Sequence, residues 1–288
     1  MVDSVAQADR LHRLAAPGLV SSLLACVLVL GSADILAAQS PGAASVMDSR
    51  ILRRSYVFEG TGKRIPYAVF VPAACGQTTP CPLIVGLHGM GRSYDSLMGY
   101  DGFLDLAARG GYLVATPLGY NEFGWYGSSG PDLRPGQVPP DIAAHDPPPP
   151  NLGALSERDV MNVLDLVRRE FSVDATRIVL FGHSMGGGGA YHLAAKYPKM
   201  WRAVAVAAPA PDASMAQVEL MKGLPFLVLQ GDADRQVSPA KTRATIDRMK
   251  AAGMTCTYVE VSGGDHARFI EHDRAMLARV FSFFDGLH

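Results

Sequence analysis

The stretch RIVLFGHSMGGGGAYHLAAKYP, residues 177–198, decides the fold. Its first part is apolar and β-branched, as expected of a buried strand, and its last part is rich in alanine, as expected of a helix. Ser184 lies between them, with Gly182 two positions before it and Gly186 two positions after it. A sharp turn from strand to helix strains the backbone and leaves no room for neighbouring side chains. The spacing therefore predicts a G-x-S-x-G turn that projects the Ser184 hydroxyl above the carboxyl edge of a parallel sheet.

The same alternation of strand and helix continues along the chain. Before it, SYVFEG and IPYAVFVP alternate polar and apolar residues and predict an antiparallel hairpin at the sheet edge. Ser156 with Asp159, and Ser238 with Pro239, are predicted to begin two of the helices. The other strands are predicted in the runs LIVGLH, YLVATP, IVLFGH, AVAVAAP, FLVLQG and CTYVEV. This pattern predicts one α/β domain over residues 41–288, with a doubly wound, mostly parallel sheet.

A serine in such a turn requires partners, because a serine hydroxyl is a weak nucleophile near neutral pH. The expected chain order is serine, then aspartate or glutamate, then histidine. GDADRQV follows the strand FLVLQ, and we predict Asp234 as the acid, with Asp232 as the alternative. SGGDHARF follows CTYVEV, and we predict His266 as the base that Asp234 orients. Four other histidines are less suitable: His183 lies in the turn itself, His192 and His272 in predicted helices, and His145 in the proline-rich loop.

Attack on a carbonyl carbon also requires donors for the oxyanion that forms. The backbone N–H of Met185, directly after the serine, is one expected donor. The loop LHGMG follows an early strand, and its glycines let the backbone approach the reacting carbon. We therefore predict the N–H of Met90 as the second donor. His88 is expected to tie this loop down rather than to take part in the chemistry.

Residues 117–153 interrupt the pattern with a proline-rich insertion of no usable period. A loop of this length in a compact domain is usually functional or disordered. Trp125 and Tyr126 favour an ordered insertion, and we predict that they line a substrate cleft.

The N-terminal segment has the organisation of a secretory signal peptide. Basic side chains precede the apolar run GLVSSLLACVLVLG, residues 18–31, and the small-residue segment ADILAAQS follows it. We predict a signal peptide over residues 1–40, cleaved near Ser40, and a secreted or periplasmic protein. The run is shorter than the roughly 20 apolar residues of a membrane span, so stable membrane insertion is not expected after cleavage. An uncleaved anchor and a lipoprotein signal ending at Cys26 are the alternatives.

Composition narrows the class of protein. The 288 residues are 48% hydrophobic and carry a formal net charge of −1, which argues against a nucleic-acid-binding surface. Cys75 and Cys81 flank GQTTP and are expected to form a short disulfide in an oxidising compartment. Cys256 lies in an apolar run and is expected to be a buried free thiol. Neither a CxxC pair nor a His/Cys cluster predicts a metal site, and no cofactor is expected.

With LHGMG, GHSMGG, GDADRQV and GGDH in this order, the chain resembles the α/β-hydrolase superfamily from about residue 50 to its end. LHGMG, GYNEFGWYG and the segment LSERDVMNVLDLVRREFSVDATRIVLFGHSMGG look like the secreted esterase branch that includes feruloyl esterases and polyhydroxyalkanoate depolymerases. The resemblance implies an α/β-hydrolase fold and hydrolysis of a small-molecule or polymer-derived ester. The aromatic, proline-rich insertion is expected to form one side of the cleft, which predicts a preference for short or aromatic acyl esters. No propeller or polymer-binding module is recognisable. A peptidase or amidase like the prolyl oligopeptidases, a polyester depolymerase and a catalytically silent binding protein remain alternatives.

Overall fold

The computed structural model describes residues 48–75, 79–128, 148–216 and 218–287. Within these ranges eight strands form one sheet, in the order β1-β2-β4-β3-β5-β6-β7-β8. The strands are β1 (Ile51–Val57), β2 (Arg64–Phe70), β3 (Cys81–Leu87), β4 (Leu113–Pro117), β5 (Val173–His183), β6 (Ala203–Ala207), β7 (Phe226–Gly231) and β8 (Cys256–Val261). The pairs β1–β2 and β2–β4 are antiparallel, and the other pairs are parallel. The predicted mostly parallel sheet with an N-terminal antiparallel hairpin is confirmed.

Helices cover both faces of this sheet. They are α1 (Phe103–Gly110), α2 (Leu152–Glu170), α3 (Met185–Lys196), α4 (Pro239–Ala251), α5 (Arg268–Glu271) and α6 (Arg274–Asp285). Apolar side chains of α2, α3 and α4 pack on one face, and those of α1 and α6 pack on the other. Strands β3, β4, β6 and β7 are buried along their whole length, which is why their sequences are continuous apolar runs. Ser238 directly precedes α4, as predicted.

The predicted start of α2 was wrong. The helix begins at Leu152, so Ser156 and Asp159 lie inside it and are fully buried. Their side chains bind the loop that follows β4 instead: Ser156 Oγ accepts a hydrogen bond from the N–H of Tyr126, and Asp159 Oδ2 accepts one from the N–H of Gly119. Ser156 and Asp159 have a local pattern that is typical of a helix cap, but they bind residues that are distant in the sequence.

The cysteines follow the prediction. Cys75 and Cys81 form a disulfide, and Cys256 is a free, partly buried thiol whose pKa burial raises to about 11. In the part of the chain that the structure describes, no helix is both long and apolar enough to cross a membrane. No group of three or more His, Cys, Asp or Glu side chains among these residues is arranged to hold a metal ion. The predicted signal peptide, residues 1–40, lies outside the described residues.

Candidate active site

Ser184 occupies the turn between β5 and α3. Its φ of 57° and ψ of −118° are unusual for a residue with a side chain, and such strain is typical of functional turns. A Cβ atom on Gly182 would lie 2.2 Å from the carbonyl oxygen of Gly186, and one on Gly186 would lie 2.0 Å from that of Leu87. Both glycines are therefore required by close backbone approach, and the predicted strained turn is present.

The structure brings the three predicted triad residues together. His266 Nε2 lies 2.8 Å from Ser184 Oγ, and His266 Nδ1 lies 2.9 Å from Asp234 Oδ2. Asp234 follows β7 and His266 follows β8, so both reach the serine from the carboxyl edge of the sheet. Asp232, the alternative acid, is exposed and accepts a hydrogen bond from the N–H of Gly263.

Asp234 is held as a carboxylate. Its side chain is buried, and Oδ1 accepts hydrogen bonds from the N–H groups of Gln236 and Val237. Burial opposes ionisation, but the hydrogen bonds from His266 and from these backbone groups outweigh it and lower the pKa of Asp234. An ionised Asp234 in this position can fix the tautomer of His266 and stabilise a protonated imidazole ring.

Sequence reasoning missed a further residue that binds the acid. Gln230 Nε2 donates to Asp234 Oδ2 over 2.9 Å, and Gln230 Oε1 accepts a hydrogen bond from Thr242 Oγ1. The side chain of Gln230 is fully buried near the end of β7. The sequence did contain a signal for this role, because Gln230 is the one polar residue in the otherwise apolar run FLVLQ. A polar side chain in a buried strand requires hydrogen-bond partners.

The loop after β3 lies against the serine. A Cβ atom on Gly89 would sit 3.5 Å from Ser184 Cβ. Among the described residues, the backbone N–H groups of Met90 and Met185 make no hydrogen bond. These two groups are the predicted oxyanion donors, and Met185 directly follows Ser184 in the chain.

His88 holds this loop from behind. Its ring is buried, with Nδ1 2.8 Å from the carbonyl oxygen of Gly89 and Nε2 2.9 Å from that of Leu118. Its backbone N–H donates to Tyr126 Oη over 3.1 Å. Burial lowers the pKa of His88, while its two carbonyl partners act in the opposite direction, and a neutral ring donates to only one of them. These contacts connect the loop after β3 to the loop after β4.

The predicted role of the two insertion aromatics requires correction. Tyr126 is 0% exposed and Trp125 is 7% exposed, so Tyr126 does not line a cleft and Trp125 contributes at most a small edge. Both have positive φ, and this tight turn directs the rings inward between α2 and α3, where burial of their apolar surface is favourable. Gly189 of α3 makes room, because a Cβ atom there would lie 2.7 Å from Tyr126 Cβ. Residues 129–147 of the insertion lie outside the described residues.

Comparisons with known proteins agree with this architecture. A family model described as "Putative esterase" matches residues 59–275. S-formylglutathione hydrolase from Mus musculus is 29% identical over 150 residues, which cover 51% of this chain and 52% of that protein. The chain thus spans about half the length of this curated relative.

Two solved structures share the fold. S-formylglutathione hydrolase from Agrobacterium tumefaciens is 19% identical, with a TM-score of 0.59, over 83% of this chain and 95% of the other. A ferulic acid esterase from Anaeromyces mucronatus, in complex with ferulic acid, is 16% identical, with a TM-score of 0.62, over 82% and 89% of the two chains. The predicted α/β-hydrolase fold is confirmed, and the chain belongs to the esterase family.

Proposed function

We propose that this protein is an exported serine carboxylesterase that hydrolyses short-chain or aromatic esters through an acyl-enzyme intermediate. The observation that carries the proposal is the hydrogen-bonded row of Ser184 Oγ, His266 Nε2 and Nδ1, and Asp234 Oδ2, with distances of 2.8 and 2.9 Å. A serine on a strained turn, a base within hydrogen-bond reach and a carboxylate that orients the base are the requirements of nucleophilic catalysis.

In the acylation half of the reaction, Ser184 Oγ attacks the ester carbonyl carbon while His266 Nε2 takes the hydroxyl proton. The oxyanion of the tetrahedral intermediate binds the N–H groups of Met90 and Met185. His266 then gives its proton to the leaving alkoxide oxygen, the carbon–oxygen bond breaks, and an alcohol departs. The acyl group remains as an ester of Ser184.

In the deacylation half, water attacks the acyl carbon as His266 takes one of the protons of the water. The second tetrahedral intermediate uses the same oxyanion donors. It collapses when His266 returns the proton to Ser184 Oγ, which releases a carboxylic acid and restores the enzyme. In each step one proton moves between His266 and Ser184 Oγ, the leaving alcohol or water.

The structure supports a short acyl group better than an aromatic one. The inward rings of Trp125 and Tyr126 do not favour an aromatic acyl group, whereas the half-exposed side chain of Met90 places apolar surface beside the oxyanion donors. The S-formylglutathione hydrolase relatives suggest a thioester of a small acyl group as a further substrate. Short acyl esters are therefore the first substrates to test.

Export is supported by the sequence of residues 1–40 and by the disulfide between Cys75 and Cys81, since disulfides persist in oxidising compartments. Cell fractionation followed by N-terminal sequencing tests it. We expect a secreted or periplasmic product that begins near Ser40. A cytoplasmic product that begins at Met1 would contradict export without affecting the hydrolase proposal.

The catalytic proposal is tested with p-nitrophenyl esters of increasing acyl length, methyl ferulate, a formyl thioester and a panel of aminoacyl amides. The purified protein is compared with Ser184→Ala and with Ser262→Ala, an exposed serine in the loop before His266. We expect turnover and covalent fluorophosphonate labelling by the parent and by Ser262→Ala only. Ester turnover by folded Ser184→Ala would overturn the mechanism. If the parent hydrolyses the amides but none of the esters, the protein is an amidase.

A further inference from the structure

Two side chains outside the triad form a row behind His266. Tyr100 Oη lies 2.6 Å from His183 Nδ1, and His183 Nε2 lies 2.9 Å from the backbone carbonyl oxygen of His266. Tyr100 is 7% exposed and His183 is 3% exposed. His183 is the last residue of β5 and precedes Ser184 directly. One buried ring therefore joins the serine turn to the loop that carries the predicted base.

The chemistry of the partners fixes the proton positions in this row. A carbonyl oxygen only accepts hydrogen bonds, so His183 Nε2 carries a proton and donates it to the His266 oxygen. In a neutral imidazole the other nitrogen is an acceptor, so Tyr100 Oη donates to His183 Nδ1. Burial lowers the pKa of His183 to about 4 and raises that of Tyr100, which keeps both groups neutral at pH 7.

The surrounding charges favour the same state. Glu271 Oε1 lies 4.0 Å from His183 Nδ1, but its charge is paired with the guanidinium of Arg92 at 2.8 Å. The rings of His183 and His266 have centroids 5.3 Å apart. A charged His183 at this distance would repel the imidazolium that His266 becomes during the proposed reaction, whereas a neutral ring does not.

We propose that His183, with its proton donor Tyr100, is a positioning residue that fixes the backbone of His266 and thereby holds Nε2 in line with Ser184 Oγ. This inference rests on the proposed function, because it assigns His183 a part in the same site. The triad hydrogen bonds restrain only the imidazole ring of His266. The bond from His183 restrains its main chain, so the ring is held from both ends.

The test compares three variants of the full chain. His183→Leu fills the space without a donor, and His183→Gln restores an N–H near the position of Nε2. Tyr100→Phe keeps the ring and removes the hydroxyl that fixes the tautomer. For each variant the measurements are the thermal midpoint, kcat and KM for p-nitrophenyl acetate, and the downfield proton resonance of the His266 Nδ1–H that binds Asp234.

We expect His183→Leu to lower kcat about 100-fold with KM changed less than about twofold, because a small displacement of a catalytic group has an effect of this order. His183→Gln should recover kcat to within about fivefold of the parent, and Tyr100→Phe should lose about tenfold. The downfield resonance should be lost in His183→Leu and retained in His183→Gln.

A folded His183→Leu variant that keeps the parent kcat and resonance would overturn the proposal. Equal losses in His183→Leu and His183→Gln would also overturn it, because restoring the donor would then have no effect. If the parent itself neither hydrolyses esters nor reacts with a fluorophosphonate, the proposed function fails. The resonance still decides whether His183 positions His266.

Discussion

The two sides of Ser184 are built in different ways. On the proposed acid–base side, the side chains of Ser184, His266 and Asp234 are joined directly by hydrogen bonds. On the oxyanion side, the predicted donors are the backbone N–H groups of Met90 and Met185. The loop that contains Met90 is held by His88 and Tyr126, whose side chains bind the neighbouring backbone.

The predicted oxyanion loop is held by contacts with the loop after β4, which is in turn held by α2. His88 and Tyr126 join the loop after β3 to the loop after β4, and Asp159 of α2 anchors the second loop through the N–H of Gly119. The acid–base side needs fewer intermediaries, because Gln230 and the backbone after Asp234 bind the carboxylate directly. Substitutions should therefore delete a chemical group on one side and displace a backbone group on the other.

The largest effect is expected for Asp234→Asn. The amide cannot accept from His266 as the carboxylate does, and it favours the wrong tautomer, so kcat should fall about 10⁴-fold. The measurement is kcat for p-nitrophenyl acetate, with the thermal midpoint recorded for each variant. Asp232→Asn is the matched control and should change kcat less than about twofold, as is usual for exposed sites. A larger loss in Asp232→Asn would reverse the assignment of the acid.

A smaller effect is expected on the oxyanion side for Asp159→Asn. Asp159 accepts from the N–H groups of Gly119 and Tyr120 and from Tyr56 Oη, and one amide cannot accept from all of them. Displacement of the loop after β4 should lower kcat by roughly 10- to 100-fold, with the resonance of His266 unchanged.

Asp165→Asn, an exposed position on the same helix, is the control for that variant. Its kcat should equal that of the parent. If Asp159→Asn also keeps the parent kcat, the hydrogen bonds from α2 do not control the position of the oxyanion donors.

The same contrast explains what could be predicted from the sequence. Seven of the eight described strands largely coincide with the predicted apolar or alternating runs, because burial on one or both faces leaves a local pattern. The exception is β1 (Ile51–Val57), which begins four residues before the predicted run SYVFEG. The proximity of Ser184, Asp234 and His266 could be predicted because each follows the end of a strand. The close approach at Gly182 and Gly186 is also local, so its geometry was predictable.

The support of the loops could not be predicted in this way. Ser156 and Asp159 have the local pattern of a helix start, yet Asp159 bonds to Gly119, 40 residues earlier in the chain. Trp125 and Tyr126 resembled cleft residues because nothing nearby showed that Gly189 leaves space for an inward ring. Pairings between distant segments leave no periodic signature, so only the tertiary structure shows them.

The disulfide provides a comparison at the other end of β3. Cys81 begins this strand, whereas the predicted oxyanion loop follows its last residue. The closed loop is short, with a sequence separation of 6. Replacing Cys75 and Cys81 with serine should therefore lower the free energy of unfolding by about 2 kcal/mol.

Urea unfolding measures this loss, and the reduced parent is the matched control. We expect kcat to stay at the parent value, since the loop after β3 is held from the side of α2. A large loss of kcat at full folding would show that the start of β3 also controls the oxyanion side.

The smallest effect concerns His183 and the pH dependence of stability. Burial lowers its pKa in the folded protein to about 4, from an ordinary value of 6.5, so the unfolded chain binds more protons between these values. His183 should therefore lower the free energy of unfolding as the pH falls through 6.5, and its own contribution is about 1.4 kcal/mol at pH 5.5 relative to pH 8. His183→Gln lacks this proton uptake, while Tyr100, Glu271 and Arg92 stay the same in both proteins. Urea unfolding at the two pH values should show a smaller acid loss in the variant, and equal losses would mean that His183 does not have to stay neutral.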